Sequence, residues 1–301
     1  MKVAVLMSSY NGQTFLKEQI ESILAQDVEA ELDLWVRDDG SWDDTTSILQ
    51  EYMGQGKLRW YAGENVGPAK SFLELLQNVG GYDYYAFADQ DDVWHTDKIR
   101  KGLCHLQNID GPALYFANAK LVDAQLKSLG RNVYRSIPCV DFYSVTCGAG
   151  ILGCTVIFNQ ELAGLIQSKP MPEKLRMHDY YLGVVCTLHD GRIVYDHQVC
   201  IDYRQHGNNV VGSSWRKIDA IKNRLRQITT KREHTIDELA EFICNHYTEV
   251  PDMAKWYWLR AVADYRKSMF AAAKLAFDKK VSFSSRNKSI TMRLAILMRN
   301  R

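Results

Sequence analysis

No stretch of this chain approaches the roughly eighteen consecutive apolar residues that a membrane-spanning helix needs. Behind a single lysine, Val3 to Met7 is too short for the apolar core of a secretory signal. The seven cysteines are odd in number and include no C-x-x-C pair, which fits reduced thiols better than a disulfide framework or a zinc site. Cys139, Cys147, Cys154 and Cys186 are accordingly read as packing residues. These absences point to a cytoplasmic protein. Phosphate-binding signatures are also missing: no G-x-x-x-x-G-K-[ST] loop occurs, and the first strand-to-helix turn lacks G-x-G-x-x-G. There is no internal repeat and no low-complexity linker.

What the chain does have is 301 residues, 46% of them hydrophobic, enough for one large catalytic domain with an appendage or for two modest domains. The net charge of +1 hides an asymmetry. Residues 216–301 hold 19 Lys and Arg against 9 Asp and Glu, a net of +10, which leaves 18 against 27, or −9, for residues 1–215. The expected division is therefore a catalytic domain over 1–215 and a helical basic region over 216–301, each facing different partners.

Val3 to Leu6, Leu32 to Val36, Leu58 to Tyr61 and Tyr84 to Ala88 read as strands. Between and after them, helical spacing recurs at Leu16, Ile20, Ile23 and Leu24, around Ser47 to Tyr52, from Pro68 through Phe72, Leu75, Leu76 and Val79, and at Ile99, Leu103 and Leu106. This alternation predicts a mostly parallel sheet flanked by helices. Residues 113–158 are less regular, with strand-like pieces at Ala113 to Asn118 and Cys154 to Phe158 around the loop CGAGILG. A helix beginning near Asp179 and a strand at IVYD follow. From about Ile218 the pattern is helical, broken near Pro251 and at VSFSSRN.

Polar clusters fall at the ends of the first four strands: SSYNG, RDDGS, GENVG and ADQDD. Asn-Gly and Asp-Gly alone are turn chemistry. In an open parallel sheet, however, all four loops lie along one edge, outside the carboxyl ends of the strands, where ligands bind. In ADQDD, Asp89, Asp91 and Asp92 crowd like charges at the end of a buried strand, which calls for a cation. Asp89 and Asp91 can direct oxygens at one hard ion, and Mg²⁺ or Mn²⁺ typically combines one or two carboxylates with phosphate oxygens. Counting from Asp89, an EF-hand is excluded by the missing glycine and glutamate. Asp179 at a helix start is explained equally by N-cap duty or by a general base. His206, in a Gly/Asn-rich segment, is a ligand or a loop residue.

With these motifs in place, the chain resembles the inverting glycosyltransferases of family 2, which have a GT-A fold. The resemblance rests on VLMSSYNG, VRDDGSWDDT, ENVG, ADQDD as the D-x-D element, and His178-Asp179 as the base region, and it covers about Met1 to Gly212. ADQDDVW with MHDYYL and RQHGNN is most similar to the bacterial rhamnosyltransferase branch that builds cell-surface polysaccharides. It implies an α/β GT-A fold, Rossmann-like, with a helical basic C-terminal extension. It further implies that Ser8, Tyr10, Asp38, Asp39, Asn65, Gly67 and Lys70 form the nucleotide pocket, Asp39 accepting from the base N–H. Asp89 would face ribose or metal, Asp91 would bind the metal with His206 on its far side, and Asp92 would support them or face solvent. Asp179 would take the acceptor hydroxyl's proton, giving one displacement and inversion. The implied partners are a dTDP- or UDP-sugar and a glycan or polyprenyl-diphosphate-linked acceptor.

The last helix candidate, NKSITMRLAILMRNR, sets Ile290, Leu294 and Leu297 on one side with Lys288, Arg293, Arg299 and Arg301 around them. It either packs with a solvated basic face or docks on anionic lipid at the inner face of the plasma membrane. Nucleic acid is not an expected partner, because no binding motif occurs and the acidic half would repel phosphates. Three other readings are weighed. A sugar-phosphate nucleotidyltransferase lacks its Gly-rich basic first loop here. A UDP-hexose transferase of the same fold and a catalytically idle membrane-associated scaffold both stay open.

Overall fold

The computed structural model describes residues 1–206 and 235–299. The expected division at 215/216 lies outside these residues. Two strands of the first half show why the sheet forms. Strand β1 (Lys2–Ser9) buries Val3 to Met7 completely, and β4 (Tyr84–Asp89) does the same for Ala86 to Ala88, so both are apolar on both faces. They pair in parallel, Val3 with Tyr84 through Ser8 with Asp89. β2 (Glu31–Asp38) lies on the other side of β1, and β3 (Arg59–Ala62) is outside it. The order β3-β2-β1-β4 reverses direction at β1, which opens a crevice beyond the carboxyl ends of β1 and β4.

Helices α1 (Leu16–Leu24), α2 (Thr45–Gly54), α3 (Pro68–Asn78) and α4 (Lys98–Leu106) cover this sheet, each with its apolar positions turned inward. α3 begins where the sequence dictates. Gly67 takes a φ of +79°, a conformation that disfavours residues with a Cβ, and Pro68 supplies the preset φ of a first helical residue.

Beyond β4 the sheet ceases to be parallel throughout. β5 (Val93–Trp94), β6 (Ala113–Val122), β7 (Ser128–Asn132), β8 (Ile157–Asn159) and β9 (Arg192–Arg204) complete the order β3-β2-β1-β4-β8-β6-β9-β5, with β7 on β6. β8 runs antiparallel to both β4 and β6, while β6 and β9 are parallel with register shifts near Asn118. The expected strand from Cys154 is instead a 3-10 turn at Gly153–Thr155 followed by β8. The turn forms because the Thr155 hydroxyl and amide both bond the Leu152 carbonyl. β5 pairs antiparallel with β9, Val93 against Asp202, which ties the segment after the acidic loop to the end of β9.

Helices α5 (Phe142–Thr146), α6 (Gln160–Gln167) and α7 (His178–Leu188) pack on one sheet face. α8 (Ile236–His246), α9 (Met253–Asp264), α10 (Met269–Ala276) and α11 (Arg286–Leu297) follow, so the expected helical tail is present. Leu239, Ile243, Trp258, Leu259, Leu275 and Ile296 belong to one apolar cluster with Tyr181 and Val185 of α7 and Phe72 of α3. Trp258 is thus core, whereas Tyr257 and Phe270 face outward. Among the described residues no helix is long and apolar enough to cross a membrane.

Candidate active site

A cleft of about 640 Å³ opens where the loops after β1 to β4 meet the segment 148–154, the start of α7 and the end of β9. The four polar loops therefore do converge, and Ser8, Tyr10, Asp39, Asn65, Gly67, Asp89, Asp91, Asp179 and His206 all line this one space. Asp38 and Lys70 do not. Asp38, almost fully buried, accepts bonds from the Ser9 hydroxyl and from the amide and hydroxyl of Ser41, and so pins the turn after β2. Lys70 is half-buried on a helical phase that turns Ala69, Phe72 and Leu73 inward.

Asp39 is 2% exposed and held by three donors. The Arg37 guanidinium pairs with it, and the amides of Val66 and Gly67 donate to it at 3.0 and 2.9 Å. Arg37 also reaches Glu74 at 3.1 Å and the Ser71 hydroxyl, which bonds Ser8 at 2.6 Å. Sequence reasoning passed over Arg37. Its signal was a guanidinium placed in a core strand directly after Val36, which only paired carboxylates make tolerable. Gln90 was also missed; it clamps Tyr10 with two 2.9 Å bonds, side-chain oxygen to the Tyr10 amide and side-chain nitrogen to its carbonyl.

The acidic loop divides into unequal members. Asp91 accepts a 2.7 Å bond from the His206 ring, so residues 115 positions apart meet across the cleft. Arg204 anchors the loop from β9: its Nε donates to the Asp91 carbonyl at 2.8 Å and its amide to the Asp92 carboxylate at 3.0 Å. Its guanidinium lies 4.2 Å over the ring of Phe15, and that ring is 5.1 Å from His206. Asp92 is completely buried rather than solvent-facing, because this amide and the neighbouring β9 close over it; its second oxygen has no hydrogen-bond partner. Asp89, Asp92 and the Cys154 thiol each bring a potential ligand atom within 4.8 Å of one another, while Cys154 itself is buried in an apolar core cluster, as a packing residue is. Burial first, then the charges of Asp91 and Asp179, push the Asp89 carboxyl up to about 7. Lys98 is fully buried beneath this cluster, donating to the Cys154 carbonyl at 2.8 Å, and burial lowers it to about 8.

Opposite stands Asp179. The N-cap position of α7 is Met177, so capping does not account for Asp179; its oxygen instead takes the amide of Tyr180 at 2.6 Å. Burial raises its carboxyl to about 6, while that amide and Arg176 oppose the shift. His178 beside it is 2% exposed, packed against Phe72 and Phe87, and held neutral by burial, its pKa lowered to about 3. The segment Gly148 to Cys154 lines the cleft. Gly153 is confined there, since a Cβ would stand 2.9 Å from His178 Nε2 and 3.1 Å from Asp179 Oδ2.

The arrangement offers oxygen and imidazole donors for a hard divalent ion on one side and a buried carboxylate, its pKa raised, on the other. Residues 4–120 match the profile of the Glycosyl transferase family 2 family. The dTDP-rhamnosyl transferase RfbG of Shigella flexneri is 28% identical over 230 residues, 69% of this chain and 74% of that protein. TuaG of Bacillus subtilis strain 168, named for teichuronic acid biosynthesis, is 28% identical over 71% of this chain and 83% of its own length. Two solved structures share the fold at 17% identity. S. aureus TarS 1-349 in complex with UDP-GlcNAc has a TM-score of 0.57, with 99% of this chain and 90% of that one covered. The mannosyltransferase PcManGT from Pyrobaculum calidifontis, in complex with GDP-Man and Mn2+, has 0.53, with 99% and 86% covered. Residues 4–120 are thus a glycosyl transferase family 2 domain, and the chain is a glycosyltransferase of GT-A fold.

Proposed function

We propose that this enzyme transfers a sugar, L-rhamnose from dTDP-rhamnose being the favoured case, with inversion, to a glycan or polyprenyl-diphosphate-linked acceptor of bacterial surface polysaccharide synthesis. Such an acceptor places the reaction at the cytoplasmic face of the membrane. The observation that carries the reading is the facing pair in one cleft: the acidic end of β4 with His206 on one wall, and the buried carboxylate of Asp179 on the other. The choice of rhamnose leans on the likeness to RfbG.

The nucleotide base would lie against Tyr10, which stands 44% exposed at the cleft, and Asp39. A carboxylate has about four acceptor sites, and the three donors on Asp39 leave one for a base N–H. Asn65 and Gly67 border the same end. Asp89, Asp91 and His206 are the residues that would hold Mg²⁺ or Mn²⁺. Their donor set fits such an ion, and the charges of Asp91 and Asp179 that help raise the Asp89 carboxyl show negative charge crowded there without a full counter-charge. The ion, when bound, neutralises the charge that grows on the leaving diphosphate. Asp179, with its carboxyl at about 6, is largely ionised at neutral pH and yet basic enough to accept the acceptor hydroxyl's proton as that hydroxyl attacks. With Asp179 as base and the opposing carboxylates Asp89 and Asp91 assigned to the ion, one displacement inverts the anomeric carbon.

The test is a donor panel. Nucleoside-diphosphate release from dTDP-, UDP- and GDP-sugars with Mn²⁺ should occur for the wild type, with dTDP-rhamnose preferred, and collapse in Asp179→Asn. Preference for a UDP-hexose would move the donor assignment within the same fold. No turnover and no thermal stabilisation by any donor would favour the idle scaffold, and a retained anomeric configuration by NMR would contradict the single displacement.

A further inference from the structure

Among the described residues, eight of the fifteen large apolar side chains that stand exposed lie between Met253 and Met298. They concentrate on two packed helices, α10 and α11. On α10, Phe270 (79% exposed), Lys274 and Phe277 at its C-cap follow at i, i+4 and i+7, so they share one face, while Ala272, Leu275 and Ala276 face the core. On α11, Ile290, Leu294 and Met298 recur every fourth residue, with Met292, Ala295 and Ile296 buried behind them. Charge is as one-sided as hydrophobicity. From Tyr265 to Met298 the sequence holds eight Lys and Arg and a single acid, Asp278.

The structure also sorts these cations. Arg293 turns to the carbonyls of Asp278 and Val281, and Lys280 lies over the Tyr143 ring, whereas Lys274, Lys279, Arg286 and Lys288 are exposed. We propose that the outer face of α10 and α11 docks on an anionic lipid bilayer, Phe270 and Phe277 entering the headgroup region and the lysines meeting lipid phosphates. A nucleic acid would engage the lysines but leave Ile290, Leu294 and Met298 in water. A second copy related by a two-fold axis would bury the apolar residues but set like charges against each other. The proposal goes beyond the donor chemistry and does not depend on it.

Sedimentation of the full chain with phosphatidylcholine vesicles, with and without phosphatidylglycerol, tests it. The wild type should pellet with the anionic vesicles, and added salt should weaken but not abolish this. Phe270→Ser/Phe277→Ser and Lys274→Glu/Lys279→Glu should each lower partitioning by about tenfold or more. Both variants should keep the melting temperature and the stabilisation by UDP or dTDP with Mn²⁺, which separates a docking failure from a failure of the donor site. Equal pelleting of wild type and both variants overturns the proposal. So does a lipid-independent dimer that the serine variant abolishes, or binding to duplex DNA with none to anionic vesicles.

Discussion

Asp89 and Asp179 hold protons that a free carboxyl would release near pH 4, because burial penalises their charged forms more than neighbouring donors favour them. Their folded pKa values lie above the unfolded ones, so the stability they contribute is fully present below about pH 4 and is lost as pH rises through about 6 and about 7. The ion-free protein should therefore melt lower at pH 7.5 than Asp89→Asn does, and the difference should vanish toward about pH 5. Saturating Mn²⁺ should reverse the order, since ligand binding stabilises only the variant that retains the site. Melting curves in EDTA and in Mn²⁺ check both signs. For Asp179, the transfer rate should fall with one proton as pH drops below about 6. Asp179→Asn should cost about 100- to 10,000-fold in kcat with nucleotide affinity unchanged. A pH profile on the best donor of the panel measures the first, and calorimetry with UDP or dTDP the second.

The elements explain what can be read from the chain alone. Helices α1 to α4 and strands β1 to β4 announce themselves because each buries a local period, such as Leu16, Ile20 and Ile23 or the run Val3 to Met7. β5 does not, since a two-residue strand exists only through distant partners, Ile201 and Asp202, and β8 is legible only in part, its expected start at Cys154 being a 3-10 turn. The site divides the same way. The four loops were legible from their places at strand ends, whereas the Asp91–His206 bond and the Arg37–Asp39–Glu74 cluster depend on register and helix phase. Arg37→Met should cost about 3 kcal/mol or more by leaving Asp39 buried without its cation, read by urea denaturation. Gly153→Ala should cost activity rather than fold. Its methyl displaces His178 and Asp179 by tenths of an ångström, so kcat should fall about tenfold or more while the melting temperature shifts little.

At the scale of the molecule, one apolar cluster runs from the sheet through α7 into α8, α9, α10 and α11. A chain cut after residue 206 would expose Tyr181 and Val185, and it should lose near-UV circular dichroism and aggregate rather than fold as a smaller enzyme. The acidic end of β4 gains its meaning at this scale too. Three loops, a distant histidine and a buried lysine surround carboxylates that still lack a full counter-charge, and the account holds that this charge arrives as a divalent ion together with a diphosphate. Isothermal titration of UDP and dTDP into wild type and Asp91→Asn, each with Mn²⁺ and with EDTA, tests that claim most directly. The account predicts that Mn²⁺ strengthens binding of at least one of the two nucleotides about tenfold or more in the wild type and leaves Asp91→Asn unchanged. Equal affinity with and without Mn²⁺ in the wild type, or an undiminished Mn²⁺ effect in Asp91→Asn, would contradict it.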